Sequence, residues 1–459
     1  MDLNRLRSVY FLGIGGIGMS ALARYFLYRG VSVAGYDRTP TPLTDQLVSE
    51  GIPVHFDDEI NRIPKKIDLV VFTPAIPALN KEYRFLAKSG IPMKKRAEIL
   101  GMIASGYMTI AVAGTHGKTT TSTMIAHFIR SAGADHLAFL GGILKNDDTN
   151  FLCRLPEQTS ASRPVFCIVE ADEYDRSFLQ LNPDMAIITS ADADHLDIYG
   201  NHSVLKESFE AFTGKIREKG SLIIKLGTAV RPVRERFYFE YSYALNQEAT
   251  FFAKNIRLDR ELIRFDLVTP TETMEDLVLG IPGMFNLENA VAALAACYLA
   301  GISKTNLRKA LRSYRGVRRR FDFRIRRKDF VFIDDYAHHP EELKACIGAV
   351  REMFPGKKIT AIFQPHLFSR TRDFADEFAR SLEMADDLIL LDIYPAREKP
   401  ISGVTSGLLL DKIRLEKKSL VKKEKVIALL KSSRPEVLLT LGAGDIDQLV
   451  PLIESEMNG

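Results

Sequence analysis

At 459 residues, 46% of them hydrophobic and 26% charged, the chain has the composition of a soluble globular protein too long for one hydrophobic core, and two or three domains are expected. A formal charge of +4 is too small to argue for nucleic acid or a membrane surface as partner. The cysteines Cys153, Cys167, Cys297 and Cys346 form no C-x-x-C pair, which argues against a zinc ribbon or disulfide framework and fits a reducing cytosol. No apolar run is long enough to span a bilayer, and Met1-Asp-Leu-Asn-Arg5 lacks the apolar stretch of a secretory signal, so a cytoplasmic protein is expected.

Val9-Tyr-Phe-Leu12 reads as a buried parallel strand, followed by Gly13-Ile-Gly-Gly-Ile-Gly18 and a helical stretch from Met19 to Arg29. Val31–Gly35 is the next strand, with Asp37 just beyond it. This G-x-G-x-x-G pattern lets a pyrophosphate approach backbone N–H groups, and Asp37 is placed to accept a sugar hydroxyl. The same pattern fits a nicotinamide-dependent dehydrogenase, or a glycine turn that only packs helix on strand. However, the strands run out near Asp68–Ala75, short of two mononucleotide halves, which favours a diphosphate-bearing nucleotide substrate.

The stretch Thr109-Ile-Ala-Val-Ala-Gly-Thr-His-Gly-Lys-Thr-Thr-Thr121 organises the centre of the chain. A short apolar run meets a glycine turn, and Lys118 opens an amphipathic helix ending near Gly133. Strand, glycine loop and helix wrap a phosphate chain with backbone N–H groups. Lys118 is expected on the terminal phosphates and the Thr119 hydroxyl on Mg²⁺. Val112 stands where the usual pattern has its first glycine, so the loop reads Gly114-Thr115-His116-Gly117.

Two later apolar runs, Pro164–Val169 and Met185–Ser190, deliver the acidic clusters Glu170–Asp175 and Asp192–Asp197. Acids at the carboxyl edge of a parallel sheet beside a phosphate loop suit cation binding, with Glu170 and His195 the expected ligands. The plain alternative is a pair of solvated loop ends. Glu207–Arg217 reads as a helix, Ser221–Ile224 as a strand, and Arg231–Leu267 as antiparallel strands. Asn286 and Asn289 open an Ala-rich helix and share one face, where they can read a base edge or merely cap.

From Arg315 the pattern alternates again. Phe330–Pro340 leads into a helix from Glu341 to Met353, Ile359–His366 is a strand, and Leu388–Ile393 and Val437–Leu441 complete an alternating β/α pattern, which predicts a mostly parallel sheet covered on both faces. Polar residues follow the strands: Asp335 and His338, His366 and Arg370, Asp392 before Arg397. Lys417–Lys425 reads as a solvated basic helix or loop.

With these residues in view, the chain resembles the Mur ligases of peptidoglycan synthesis over nearly its whole length. Gly13–Ala23 (GIGGIGMSALA) is similar to that family's UDP-binding loop and Gly114–Thr121 (GTHGKTTT) to its ATP loop. Glu170–Asp175, Asp192–Asp197, Asn286–Asn289, Arg319–Asp322, Asp334–Pro340 and Gln364–Arg372 fall in the family's order. The resemblance implies three α/β domains: Rossmann-like and UDP-sugar-binding over residues 1–102, P-loop ATPase-like over 103–314, and Rossmann-like again over 315–459.

It further implies that Gly15, Gly16, Met19, Ser20, Asp37, Thr73, Pro74 and Ala75 hold the UDP part. Gly114, Thr115, His116, Gly117, Lys118, Thr119 and Thr120 would hold the phosphates of ATP, and Asn286, Asn289, Arg320 and Asp335 its nucleoside. Thr119 and Glu170 would ligate one Mg²⁺ and His195 a second. His338 and Arg370 would face the amino acid and the transferring phosphoryl group, making them, with Lys118, the catalytic set. The implied reaction joins the lactyl carboxylate of UDP-N-acetylmuramate to L-alanine through an acyl phosphate, in a cytoplasmic monomer or weak homodimer. A sister reaction with a preformed tripeptide is the open alternative. Phe285, Tyr174 and Leu367 depart from residues common in the family.

Overall fold

The computed structural model describes residues 1–156, 164–192, 202–235, 237–259, 262–396 and 398–458. The chain is α/β and forms two compact units, Met1–Pro282 with Asn286–Arg315, and Gly283–Phe285 with Gly316–Gly459. The first unit contains two sheets and the second contains one.

The N-terminal sheet is wholly parallel, with strands β1 (Ser8–Leu12), β2 (Ser32–Tyr36), β3 (Val54–His55), β4 (Leu69–Phe72) and β5 (Met93–Lys95) in the order β3-β2-β1-β4-β5. Val9, Tyr10, Phe11 and Leu12 are all buried because both faces of β1 are covered, which is why that strand reads as a continuous apolar run. The chain order reverses at β1, so a crevice opens beyond the carboxyl ends of β1 and β4.

The central sheet has ten strands: β6 (Met108–Ala113), β7 (His136–Leu144), β8 (Thr149–Arg154), β9 (Phe166–Glu170), β10 (Met185–Ile188), β11 (Ser221–Lys225), β12 (Phe239–Leu245), β13 (Phe251–Asp259), β14 (Leu262–Val268) and β15 (Thr273–Leu279). Their order is β15-β14-β13-β12-β11-β10-β6-β9-β7-β8. The strands after Arg231 differ from the expectation. β12 pairs in parallel with both β11 and β13, and antiparallel pairing begins only between β13 and β14. Side-chain alternation fixes which face a residue takes but not which way the strand runs. The helix Lys118–Ser131 and the Ala-rich helix Met284–Leu299 bury their apolar sides in this sheet's core.

The sheet of the second unit runs β16-β17-β21-β18-β19-β20. Its strands are β16 (Asp322–Arg326), β17 (Val331–Asp335), β18 (Ile359–Phe363), β19 (Asp387–Leu390), β20 (Lys417–Leu420) and β21 (Val437–Leu441). All pairs are parallel except β16 with β17. Lys417–Leu420 is thus an edge strand where a helix or loop was expected, followed by a short 3-10 turn at Lys423–Lys425. Lysines suit an edge, since their charge discourages pairing with another chain. Among the described residues, no helix is long and apolar enough to cross a membrane.

Candidate active site

The phosphate loop leaves β6 at Ala113 and enters the helix at Lys118. Gly114 (φ 133°) and Gly117 (φ 81°) hold backbone conformations that a side chain would strain. There is no room for one either: a Cβ on Gly114 would lie 2.1 Å from Thr189 Oγ1, and one on Gly117 2.3 Å from Asn289 Oδ1. Neighbouring strand ends hold the loop in shape. His116 N donates to Ser190 Oγ at 2.9 Å, and Thr115 Oγ1 donates to the Asp192 carbonyl at 2.9 Å.

Lys118 Nζ donates to Gly114 O at 2.6 Å and to Glu173 Oε1 at 2.9 Å. Burial alone would lower the ammonium's pKa, but the carboxylates of Glu173, Glu170 and Asp172 outweigh it, and the net shift is upward. Lys118 therefore stays charged at neutral pH. Thr119 Oγ1 lies 3.1 and 3.0 Å from the two carboxylate oxygens of Glu170, at the end of β9. Hydroxyl and carboxylate together form a hard-oxygen pair of the kind that takes a divalent cation. Gly141 on β7 gives this carboxylate its room, since a Cβ there would sit 1.9 Å from Glu170 Oε2. Thr120 is buried beside them. Asn289 accepts from Thr121 Oγ1 at 3.3 Å, whereas Asn286 donates to the Pro282 carbonyl at 2.6 Å, a local contact at the helix start. His195 lies outside the described residues.

In the N-terminal sheet, Gly13 (φ 85°) turns the chain, and a Cβ there would be 2.6 Å from Thr73 Cγ2. The glycine loop and the Thr73-Pro74-Ala75 turn therefore meet at the switch point. Gly15 N donates to Asp37 Oδ2 at 2.8 Å, and Asp37 Oδ1 accepts from Thr39 N at 3.2 Å. Gly16, Pro74 and Ala75 are exposed, while Met19 and Ser20 are buried in the first turn of the helix Ile17–Tyr28. The Ser20 hydroxyl accepts from Asn150 Nδ2 at 2.8 Å.

In the second unit, polar groups gather at the carboxyl ends of β17, β18 and β21. Asp335 accepts from Phe321 N at 2.6 Å and from Ala337 N at 2.7 Å. Burial pushes its pKa up to about 7, against the opposing pull of Arg320 and the two N–H groups. The guanidinium groups of Arg319 and Arg320 lie 5.1 and 4.9 Å from the centroid of the Tyr336 ring. His338 Nδ1 lies 2.9 Å from Tyr336 O and 3.3 Å from Glu342 Oε2, two acceptors that call for a proton on Nδ1. Arg370 is buried on the helix Phe368–Asp373. Phe285 packs edge-on against Phe321 at 5.5 Å and joins an apolar cluster.

A raised carboxyl pKa makes a prediction with a definite sign. Folded Asp335 keeps its proton to about pH 7, whereas unfolded aspartate loses it near 3.8. Its contribution to stability is therefore largest at low pH and is lost as pH rises towards 7. The stability difference between the parent chain and Asp335→Asn should fall across that window, by up to about 1.4 kcal/mol per pH unit. Denaturant titrations of both proteins at pH 4.5 to 8 would show this. A pH-independent difference would mean that Asp335 is ionised throughout.

Sequence reading missed the groups that hold these residues in place. Glu173, only 1% exposed, was one acid among several in its cluster, and nothing local marks it as the partner of Lys118. Tyr336, close to two arginines, and Glu342, which accepts from His338 N, show a weak signal, in that they flank residues already singled out. Asn150 gave none. Nor did the buried group behind the glycine loop, where Tyr10 Oη donates to Glu82 Oε2 at 2.5 Å and lies 2.8 Å from His55 Nε2.

The Mur ligase family, catalytic domain, matches residues 8–108, the Mur ligase middle domain 112–297, and the Mur ligase, glutamate ligase domain, 319–444. The UDP-N-acetylmuramate–L-alanine ligase of Flavobacterium psychrophilum is 48% identical over 462 residues, covering 100% of both chains. That of Parabacteroides distasonis is 48% identical over 455 residues, covering 98% of this chain and 97% of the relative. Among solved structures, the UDP-N-acetylmuramate-alanine ligase of Thermotoga maritima superposes with a TM-score of 0.83 at 26% identity, covering 98% of this chain and 99% of that one. A murein peptide ligase from Psychrobacter arcticus shares the fold, with a TM-score of 0.74 at 21% identity over 99% of each chain. With three successive domain matches and near-half identity along its entire length, the chain belongs to the Mur ligase family of enzymes.

Proposed function

We propose that this chain uses ATP to join the lactyl carboxylate of UDP-N-acetylmuramate to the amine of L-alanine. The observation that carries the reading is the phosphate loop itself, with Lys118 and Thr119 set beside Glu173 and Glu170 at the carboxyl edge of a parallel sheet. The names of its relatives supply the acceptor and the amino acid.

A carboxylate does not condense with an amine at neutral pH, because the oxygen to be expelled is a poor leaving group. In the proposed reaction a carboxylate oxygen bonds to the γ-phosphorus of ATP as the bond to the β-phosphate oxygen breaks, giving an acyl phosphate and ADP. Lys118 and the loop N–H groups spread the charge that builds on the phosphoryl oxygens. The unprotonated amine of alanine then bonds to the acyl carbon, and phosphate leaves as the carbon–oxygen bond breaks. His338 or a neighbouring carboxylate takes the proton from the amine, and Arg370 faces the phosphoryl group.

Thr119 and Glu170 fit a Mg²⁺ ion, which uses one or two carboxylates and completes its shell with water and phosphate oxygens. When bound, the ion would neutralise phosphate charge. His195 is proposed for a second ion. Gly15, Gly16, Met19, Ser20, Asp37 and the Thr73–Ala75 turn are proposed to hold the UDP moiety, and Asn286, Asn289, Arg320 and Asp335 the nucleoside of ATP. The proposed domains are residues 1–102, 103–314 and 315–459, in a cytoplasmic monomer or weak homodimer.

Phosphate release should require ATP, Mg²⁺, UDP-N-acetylmuramate and L-alanine together, and should stop when any one is omitted. Release that continues without the sugar nucleotide would overturn the reading. Release with a tripeptide but not with alanine would replace it with the sister reaction.

A further inference from the structure

The helix that opens on the glycine loop, Ile17–Tyr28, packs against the hairpin β7–β8 of the central sheet within the first unit. One hairpin side chain engages a whole face of that helix. Asn150, on β8 and fully buried, donates from Nδ2 to the Ile17 carbonyl at 2.5 Å and to Ser20 Oγ at 2.8 Å. Its Oδ1 accepts from Arg24 Nη1, and Arg24 in turn pairs with Glu50 at 2.7 and 2.9 Å. Ile17, Ser20 and Arg24 are spaced to lie along one side of a helix, so the amide oxygen must face the arginine and the amide nitrogen the loop end. Beside this contact, Tyr25 packs on Phe139 and Phe151 at 5.7 and 6.4 Å, and those two residues face each other across the hairpin.

The same hairpin reaches the other nucleotide loop. Between Phe139 and Leu144 its register shifts, and Gly141 lies in that irregular stretch against the Glu170 carboxylate. Glu170 is the partner of Thr119. The hairpin thus touches both loops: the glycine-loop helix through Asn150, and the carboxylate facing the phosphate loop at Gly141.

We infer that Asn150 is a positioning residue that couples the two nucleotide loops, so that UDP-sugar in the glycine loop and ATP in the phosphate loop each strengthen the binding of the other. This rests on the function proposed above. Coupling between sites is reciprocal and spans about 5- to 150-fold in affinity. An asparagine that served only to fill space would stabilise the chain without linking the ligands.

The test is titration calorimetry with a non-hydrolysable β,γ-imido analogue of ATP and Mg²⁺, with and without saturating UDP-N-acetylmuramate, and the converse titration. In the parent protein each ligand should tighten the other by at least about fivefold. In Asn150→Ala and Asn150→Asp that factor should fall to near one, while each ligand alone still binds. Asn150→Asp keeps the shape but places an acceptor against the Ile17 carbonyl. Leu307→Ala, which opens the buried core at the helix Lys304–Ser313, matches a loss of stability and should leave the factor unchanged. A parent protein that binds both ligands independently would overturn the inference, as would coupling that survives in both Asn150 variants. Failure of either ligand to bind the parent protein at all would instead count against the proposed function.

Discussion

Lys118→Met is expected to cost the protein both its turnover and much of its stability, for two separable reasons. The ammonium is proposed to meet the phosphates of ATP, and deleting one preorganised donor to a developing charge costs about a hundred- to a thousandfold in rate. Methionine keeps the apolar stem but leaves the nearly inaccessible Glu173 carboxylate without the cation 2.9 Å away. Breaking a buried pair by removing one member costs about 3–5 kcal/mol, because the remaining charge cannot recover its hydration. The double variant Lys118→Met, Glu173→Gln should regain most of the lost stability and none of the turnover. Urea unfolding and phosphate release measured on the same preparations would separate the two effects. Turnover within tenfold of the parent would remove Lys118 from the phosphates, and unchanged stability would mean that Glu173 is held by other groups.

How far these features could be read from the sequence depended on how local they were. The strand, loop and helix over Thr109–Thr121 were legible because each part is fixed by its immediate neighbours: apolar β6, two glycines with positive φ, and the cation at the helix start. Even the missing first glycine makes sense, since Val112 is still inside β6, where it pairs with Ile187 and Glu170. Strand direction after Arg231 was not legible, because the alternation of β12 and β13 is the same whichever way they run. The basic stretch at Lys417 looked like a solvated loop because an edge strand leaves one side open to water. Asn150 and Glu173 act across the fold on residues far away in sequence, and neither carries a motif.

Arg319→Ala is expected to destabilise the second unit by about 3–5 kcal/mol, with a pH dependence that identifies the cause. Arg319 Nη2 donates to the Gly442 carbonyl at 2.6 Å, its Nε lies 3.4 Å from Asp334 Oδ2, and its Nη1 lies 3.5 Å from Asp447 Oδ2. The guanidinium also lies 5.1 Å from the centroid of the Tyr336 ring, which that of Arg320 approaches to 4.9 Å. Burial raises the pKa of Asp334, and Arg319 and the Thr440 hydroxyl, which donates to Oδ1 at 2.7 Å, pull it back down. Without the arginine the folded carboxyl moves further above its unfolded value. The native state then holds a proton that the unfolded chain has released, so stability falls as pH rises. The gap between parent and variant should widen from pH 5 to pH 8. Adding Asp334→Asn should remove that widening, since an amide can still accept from Thr440 but carries no charge. Arg319→Lys should fall between parent and alanine, because an ammonium restores the charge but not the planar donor set that spans Gly442, Asp334 and Asp447. If the gap is the same at both pH values, the destabilisation comes from lost packing on Tyr336, and Asp334 does not depend on Arg319 for its charge.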